Sequence, residues 1–211
     1  MNKIRSGAAV AALALVAAAA LPCTASAQQT PWSVRVGLLD LQPANKSDGG
    51  GPLSLPADIL HVNSKVFPEF DIFYTFTPNI VAELVLTYPQ KQEVTLAGAD
   101  IGSFKHLPPS LVGQWHFLPG QTLDPYVGLG INLTLISNVN LLNGAGDLKK
   151  TSVGGVFDIG GDYNIDKQWF VNLDVKYIVP LQTDVSVTGV GKVTTAKLDP
   201  FLYGLGVGYR F

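Results

Sequence analysis

Apolar and polar residues alternate with a period of two in eight separate segments of this chain, and a helical spacing is nowhere sustained. Period-two alternation is the pattern of a β-strand whose two faces meet different surroundings. The predicted strands are residues 32–39, 67–76, 80–88, 104–117, 124–136, 153–165, 169–179 and 199–211. The sequence therefore predicts an all-β fold built from eight strands.

The connections between these segments alternate in length. Tight turns are predicted at 77–79, 118–123 and 166–168, and long connections at 40–66, 89–103, 137–152 and 180–198. Short turns at one end and long loops at the other are typical of an antiparallel up-and-down barrel in an outer membrane, with the long loops outside the cell. We therefore expect an eight-stranded transmembrane β-barrel.

One face of each predicted strand carries no charged residue, and it collects aromatic and branched side chains such as Leu129 and Leu173. The opposite face carries the polar side chains together with many glycines. These polar residues are Arg35, Glu69, Asp71, Glu83, His106, Gln114, His116, Asn132, Asp158, Asp162, Asn172, Asp174, Lys176 and Arg210. Since a charge facing lipid at the bilayer midplane costs about 2–4 kcal/mol, a bilayer against the apolar face would enforce this separation.

A soluble barrel of the lipocalin type, with the apolar face inside, is the alternative. The interior of eight strands has room for side chains and one small ligand, but not for large apolar residues from every strand. The apolar face therefore has to point outward. Tryptophan and tyrosine near the predicted strand ends, among them Trp32, Tyr88, Trp115, Trp169 and Tyr177, fit the aromatic girdles of a membrane barrel.

The first residues are typical of a cleaved export signal. Lys3 and Arg5 precede an apolar run, and Ala25-Ser26-Ala27 offers a cleavage site, which predicts a signal peptide at 1–27 and one barrel domain at 28–211. Cys23, the only cysteine of the chain, falls within this signal. The mature chain therefore has no thiol for a disulfide or a metal site.

Composition agrees with a membrane environment. Only 14% of residues are charged, against about a quarter in a soluble domain, while 47% are hydrophobic. The net charge of −2 and the lack of a basic face argue against a nucleic acid partner. We expect outer-membrane lipid to be the main partner, and recognition by the outer-membrane assembly machinery through the carboxyl-terminal Phe211.

The segment from Phe104 to Phe117 contains His-Leu-Pro-Pro followed by Gln114, and it resembles the HLPPxLxxQxxF motif of the OmpW family. Further stretches fall in the family's order, at 125–132, 162–172, 198–200 and 208–211. The resemblance covers essentially the whole mature chain. It implies an eight-stranded barrel in a Gram-negative outer membrane, with a narrow and partly apolar lumen that assists the passage of small hydrophobic molecules.

Six inward-facing charges are candidates for a cluster that pairs across the lumen, because an ion in a narrow pore needs a partner or water. They are Arg35, Glu83, Asp158, Asp174, Lys176 and Arg210. Structural pairing is the first interpretation of this cluster and gating is the second. A plug of paired charges low in the barrel would block ions and leave a pocket open to the outside above it.

Two further features concern the barrel wall. Gly128, Gly130, Gly204 and Gly206 face inward, either to leave a slot in the lumen or to ease the curvature and packing of the barrel. Pro108 and Pro109 lack the N–H donors that a paired strand needs, near the outer end of the fourth predicted strand. This seam either gives an apolar solute a sideways exit into the membrane or is a fixed kink that ends the ladder.

The sequence gives no reason to expect an enzyme, a metal or a cofactor. His106 and Ser110 share a strand face but lie about 13 Å apart along one strand, which is beyond hydrogen-bond reach. The three histidines lack metal-ligand spacing. The alternative to transport is a sealed structural or surface-interaction barrel, which would contact phage, toxin or host through its long loops, including 49–52 and 143–147.

Overall fold

The computed structural model describes residues 30–211, so the predicted signal peptide and Cys23 lie outside the described residues. Those residues contain fifteen strands and one 3-10 turn, Leu142–Gly144. The strands are β1 (Trp32–Gln42), β2 (Lys46–Ser47), β3 (Leu60–Val62), β4 (Lys65–Thr77), β5 (Ile80–Leu86), β6 (Gln90–Leu96), β7 (Ala99–Leu107), β8 (Ser110–His116), β9 (Leu123–Leu141), β10 (Gly146–Leu148), β11 (Thr151–Asn164), β12 (Trp169–Val179), β13 (Gln182–Val187), β14 (Gly191–Lys197) and β15 (Phe201–Arg210). Within 30–211, no helix has the length and apolar character needed to cross a membrane.

Eight of these strands close into an antiparallel barrel. The order around the wall is β1, β4, β5, β8, β9, β11, β12 and β15, and β15 pairs with β1 to complete the ring. Closure matters because each of these eight strands then has a neighbouring strand on both sides. The predicted fold class, an eight-stranded up-and-down barrel, is therefore confirmed.

The outward face of the wall is the charge-free face that the sequence predicted. Leu129 and Leu173 are 66% and 64% exposed, while Arg35 and Asp174 on the inward face are each 1% exposed. At the end of the barrel with the short turns, hereafter the turn end, aromatic side chains pair edge to face. Trp169 lies 4.9 Å from Tyr209 between ring centroids, as expected for an interfacial girdle.

The long connections are largely strands, which the sequence did not predict. β6 and β7 form a hairpin that pairs with β3 and with the upper part of β9, and β13 and β14 form a second hairpin that pairs with β10 and β2. These elements continue the barrel wall beyond the predicted membrane zone, at what we call the hairpin end. Many of their inward residues are apolar, so hydrophobic side chains cover much of the barrel at this end, together with a few buried polar residues such as Gln90, Gln92 and Thr183.

The outward face of β12 offers a direct test of the lipid contact. Leu173 lies midway between Trp169 and Tyr177 on that face, which places it near the centre of the apolar band. We expect Leu173→Arg to lower the free energy of unfolding in lipid vesicles by about 2–4 kcal/mol, because the guanidinium would face hydrocarbon. Urea titration of the vesicle-inserted barrel measures this.

Val190→Arg is the matched control, since Val190 is an exposed residue in the turn of the β13–β14 hairpin. We expect a change of under about 0.5 kcal/mol there, as for an ordinary surface substitution. Equal effects at positions 173 and 190 would contradict the placement of this face in lipid.

Candidate functional site

Arg35 is the centre of a charged layer across the barrel interior. Period-two alternation turns its side chain inward on β1, directly opposite Asp71 in the register with β4. Its Nε donates to Asp71 Oδ2 at 2.7 Å, and its Nη2 donates to Glu83 Oε1 at 2.7 Å. Its Nη1 lies 3.0 Å from Asp174 Oδ2 and also donates to Asn172 Oδ1. One guanidinium thus joins four strands of the wall.

Lys176 is the second cation of this layer. Its Nζ lies 2.6 Å from Asp174 Oδ2 and 3.4 Å from Glu83 Oε1. Gln114 then links the acidic groups, since its Nε2 donates to Glu83 Oε2 at 3.0 Å and to Asp158 Oδ2 at 3.1 Å. The hydrogen bonds therefore run across the whole lumen and leave the charged groups almost fully buried.

We call this layer the charge plug. It consists of Arg35, Glu69, Asp71, Glu83, Asp158, Asp174 and Lys176. Two cations face five carboxyl groups, so each cation is shared by several acids. The loss of either cation would leave acidic groups buried without compensation, which is costly in a low-dielectric interior.

The structure brings five of the six predicted cluster residues together and places the sixth elsewhere. Arg210 is the last residue of β15 and lies opposite Ser33, two positions nearer the turn end than Arg35. Its Nη2 donates to Asp162 Oδ2 at 3.0 Å, and its guanidinium stacks over the Phe170 ring at 4.2 Å. Arg210 therefore belongs to the mouth of the barrel and not to the charge plug.

The inward glycines accommodate neighbouring side chains and do not leave an open slot. A Cβ at Gly206 would lie 2.9 Å from Arg35 Cγ, and one at Gly128 would lie 2.8 Å from Val112 Cγ1. At Gly204 it would overlap the carboxyl group of Asp174, and at Gly130 it would overlap the backbone of β8. Neighbouring side chains and backbone therefore occupy the space beside these glycines. The prediction that the four glycines leave an open slot in the lumen was wrong.

An apolar cluster fills the barrel between the charge plug and the hairpin end, and we call it the outer core. It combines inward residues of the wall with residues of the hairpins: Leu39, Leu41, Leu60, Val62, Phe67, Val94, Phe104, Val112, Ile136, Leu141, Leu148, Val156, Ile178, Leu181, Val185, Val193, Ala196, Leu198 and Leu202. A gap of about 10 Å³ lies within it, lined by residues that include Leu60 and Phe104. That gap holds at most one water molecule.

The open space lies on the other side of the charge plug. A cavity of about 850 Å³ opens at the turn end and is lined by residues such as Ser33, Phe73, His116, Tyr126 and Arg210. The sequence placed an open pocket on the hairpin side, and this was wrong. The reason is that the hairpins supply apolar side chains that the long-loop interpretation did not include.

The pairing of strands in the wall is interrupted beside the outer core. On one side, β5 ends at Leu86 and β6 begins at Gln90, and on the other, β7 ends at Leu107 and β8 begins at Ser110. Paired positions stop at Val85↔Ser110 and resume at Gln90↔His106. We call the intervening unpaired stretch, residues 86–89 facing 107–109, the proline seam, because Pro89, Pro108 and Pro109 lie in it.

β7 and β8 follow one another in the wall, with the two prolines between them. The seam therefore lies inside the wall, and not at the outer end of a strand as the sequence suggested. Its other side stays paired, since Leu133 N donates to Pro109 O at 3.0 Å. Side chains replace the missing ladder bonds at the seam. Gln90 Nε2 donates to Tyr88 O at 2.9 Å, and Asn132 Nδ2 donates to Pro108 O at 3.2 Å.

Sequence reasoning missed three groups of residues at this site. Glu69 and Asp71 were placed on the inward face but not in the cluster, although their spacing on β4 beside Arg35 points there. Pro89 was not connected with Pro108 and Pro109, and the buried Gln90 and Gln92 were assigned to a loop. The signal that could have found the glutamines is the alternation of the uncharged residues Gln90, Gln92 and Val94 with Lys91, Glu93 and Thr95.

Comparison with known proteins agrees with this architecture. Residues 33–211 match the model of the OmpW family. An uncharacterized outer-membrane protein, y4mB of Sinorhizobium fredii, is 40% identical over 86% of this chain and 80% of its own length. Outer membrane protein W of Vibrio cholerae is 30% identical over 96% of this chain and 98% of its own length.

A solved structure shows the same barrel. The crystal structure of the outer membrane protein OprG from Pseudomonas aeruginosa superposes with a TM-score of 0.77 at 25% identity, over 87% of this chain and 97% of that chain. The hairpin end of the present barrel is therefore the extracellular end, and the turn end faces the periplasm. The family match over nearly all of the described residues shows that this chain belongs to the OmpW family of outer-membrane proteins.

Proposed function

We propose that this protein assists small hydrophobic molecules across the outer membrane, by taking them into the outer core and releasing them sideways through the proline seam. The observation that carries this proposal is that an apolar interior adjoins an interruption in the strand pairing of the wall. Val94 and Phe104 of the outer core lie on β6 and β7, the strands that end at the seam, and Ile136 lies on β9 opposite His106. A solute there would pass from one apolar surrounding to another.

The height of the seam supports release into lipid. From Ile80 to Tyr88 the wall rises by about 20 Å, at about 3.3 Å per residue and a strand tilt of about 40°. This rise is less than the height of the outward apolar band of a membrane barrel, which is roughly 25 Å. The seam therefore lies at the level of the outer leaflet, beneath the polar surface layer that excludes hydrophobic molecules.

The charge plug supports a sideways exit in preference to flow along the axis. Its ion pairs and hydrogen bonds close the lumen just below the outer core. An apolar solute would have to break these bonds without replacing them, which costs several kcal/mol. The plug also prevents the leakage of ions that an open pore of this width would allow.

A relative supports hydrophobic solutes as the substrate class. A protein of Pseudomonas aeruginosa named for a dibenzothiophene metabolism operon, PahQ, is 23% identical over 90% of this chain and 94% of its own length. Dibenzothiophene is an apolar aromatic compound. We propose a passive role without catalysis or cofactor, and insertion by the assembly machinery through Phe211, which is exposed at the end of β15.

A second function is favoured by the close packing of the outer core. Since its gap measures only about 10 Å³, entry of a solute requires the two hairpins to separate. A barrel that stays closed would instead act as a structural or surface-interaction protein, with the hairpins as the contact surface. The transport measurements below decide between the two.

The seam is tested by restoring its backbone donors. In the double variant Pro108→Val with Pro109→Val, two N–H groups return to the wall, and each new ladder bond stabilises it by about 1 kcal/mol. We expect the entry rate of N-phenylnaphthylamine into outer-membrane vesicles, followed by its fluorescence, to fall towards that of vesicles without the protein.

Pro125→Val is the matched control, because Pro125 lies on β9 where both neighbouring strands remain paired. It should leave the entry rate unchanged. Unchanged entry in the double variant would overturn the sideways exit, whereas a wild-type protein that does not accelerate entry at all would overturn the transport function and favour the closed barrel.

The plug is tested at its central cation. We expect Arg35→Ala to lower the free energy of unfolding by about 3–5 kcal/mol, because Asp71, Glu83 and Asp174 lose a shared partner while buried. Arg210→Ala, at the half-exposed mouth, should cost about 1 kcal/mol. Urea unfolding in vesicles measures both.

The same pair of variants tests the seal in planar bilayers. We expect no ion conductance from the wild type or from Arg210→Ala, and a cation leak from any Arg35→Ala protein that inserts. A steady conductance from the wild type would show that the plug does not close the lumen.

A further inference from the structure

Gln92 is buried without a hydrogen-bond partner among the described residues. Its side chain is 0% exposed, and neither Nε2 nor Oε1 contacts a donor or acceptor within residues 30–211. Two neighbours share this condition in part, since Gln90 Oε1 and His106 Nδ1 are also buried and unpartnered. Four unpaired polar atoms are thus gathered in one part of the interior.

These three residues lie together at the junction of the outer core and the proline seam. Gln90 is opposite His106 in the β6–β7 register, and Gln92 is opposite Phe104, with all four side chains turned inward. Gln90 also holds the seam, because its Nε2 donates to Tyr88 O. A solute that moves from the outer core to the seam therefore passes these polar atoms.

A structural role does not account for this arrangement. A buried amide without a partner costs about 1–3 kcal/mol, and buried polar groups in proteins are nearly always paired. Asn132 and Thr134, the neighbouring polar residues of β9, follow that rule, whereas the other unpartnered buried side-chain atoms among residues 30–211 are carboxyl oxygens of the charge plug. Asn132 Nδ2 donates to Ser110 Oγ at 3.0 Å, and Thr134 Oγ1 donates to Asn132 Oδ1 at 2.7 Å. Polar groups that break a local rule at a stability cost are typical of functional positions.

We propose that Gln92, together with Gln90 and His106, binds the one uncharged polar group of an otherwise apolar solute. This inference rests on the proposed transport function and names its substrate class: medium-chain alcohols, ketones, nitriles and similar amphiphiles. The Gln92 amide supplies both a donor and an acceptor, so it matches hydroxyl and carbonyl groups alike. The hydrocarbon part of the solute lies against Val94 and Phe104 of the outer core.

The charge of the solute follows from the same residues. None of the three side chains carries a permanent charge, and the carboxyl groups of the charge plug lie on the periplasmic side of the seam. A cationic head group would therefore be desolvated here without a counter-ion, at a much larger cost than an uncharged one. The site selects neutral amphiphiles over their cationic analogues.

The test compares two probes of similar length, decanenitrile and n-undecane, on the full chain in outer-membrane vesicles. Gln92→Leu keeps the approximate volume of the side chain and removes its hydrogen bonds. We expect the wild type to take up decanenitrile in preference to n-undecane, and the variant to lose about fivefold of this preference, the value of one hydrogen bond. The uptake of n-undecane should not fall.

Infrared spectra provide a readout that a structural role would not produce. We expect the nitrile stretch of bound decanenitrile to show a hydrogen-bonded component in the wild type that disappears in Gln92→Leu. The variant should unfold at the same or a higher urea concentration, because an unpaired amide has been removed. Gln42→Leu is the control, since the Gln42 side chain is exposed and its amide donates to the neighbouring Asp40 carboxylate.

Three outcomes would overturn the proposal: an unchanged nitrile band in Gln92→Leu, an unchanged preference between the probes, or a clear loss of stability in that variant. Failure of the transport function is distinguishable from these, because then neither probe enters faster than in vesicles without the protein. A shifted band together with lost preference supports the assignment of Gln92.

Discussion

The structure depends on one constraint, which is that hydrocarbon offers no hydrogen bonds to a backbone. Every N–H and C=O of a strand in the bilayer must therefore pair with a neighbouring strand, and only a closed ring achieves this. Charged side chains on the outward face would be destabilised by the same hydrocarbon, so the charged residues of the membrane-spanning wall lie in the interior. Within residues 30–211, the proline seam is the interruption of the ring inside the predicted membrane zone, and side chains of Gln90 and Asn132 compensate for part of it. The proposed sideways exit rests on this departure from the constraint.

The interior divides into two parts with different physical roles. Buried ion pairs contribute little net stability, because the cost of desolvation offsets their attraction. The charge plug is therefore better understood as a specific seal, in which Arg35 fixes the positions of four strands at once. Glycines on β15 make it possible, since a side chain at Gly204 or Gly206 would occupy the space of Asp174 or Arg35. The outer core above it is held by apolar packing, which yields to an apolar solute without leaving any group unpaired.

The architecture could be predicted from the sequence more fully than the candidate site. The number and direction of the eight barrel strands, and the face on which their residues lie, follow from period-two alternation and from turn lengths, and these predictions are confirmed. Height within the barrel does not follow from parity, because it depends on the stagger between strands. Arg210 was therefore grouped with Arg35, although the register places it nearer the periplasm. The hairpins were taken for loops because polar residues such as Gln90, Gln92, Thr183 and Thr194 stand at inward positions of β6, β13 and β14, where apolar residues were expected. For the same reason, the sequence placed the open cavity at the wrong end of the plug.

The relative heights of plug, core and seam determine what the barrel can do. Glu83 of the charge plug and Tyr88 at the seam belong to the same rising segment of wall, so the seal lies only a few residues below the gap. A molecule that enters between the hairpins meets the seam before it meets the ions. Leaving sideways requires no desolvation of an apolar solute, whereas passing the plug would leave Asp71, Asp174 and Lys176 unpaired. A polar group on the solute changes this balance only if something at the seam bonds to it, and Gln92 is the buried residue at that level with both amide atoms unpartnered among the described residues.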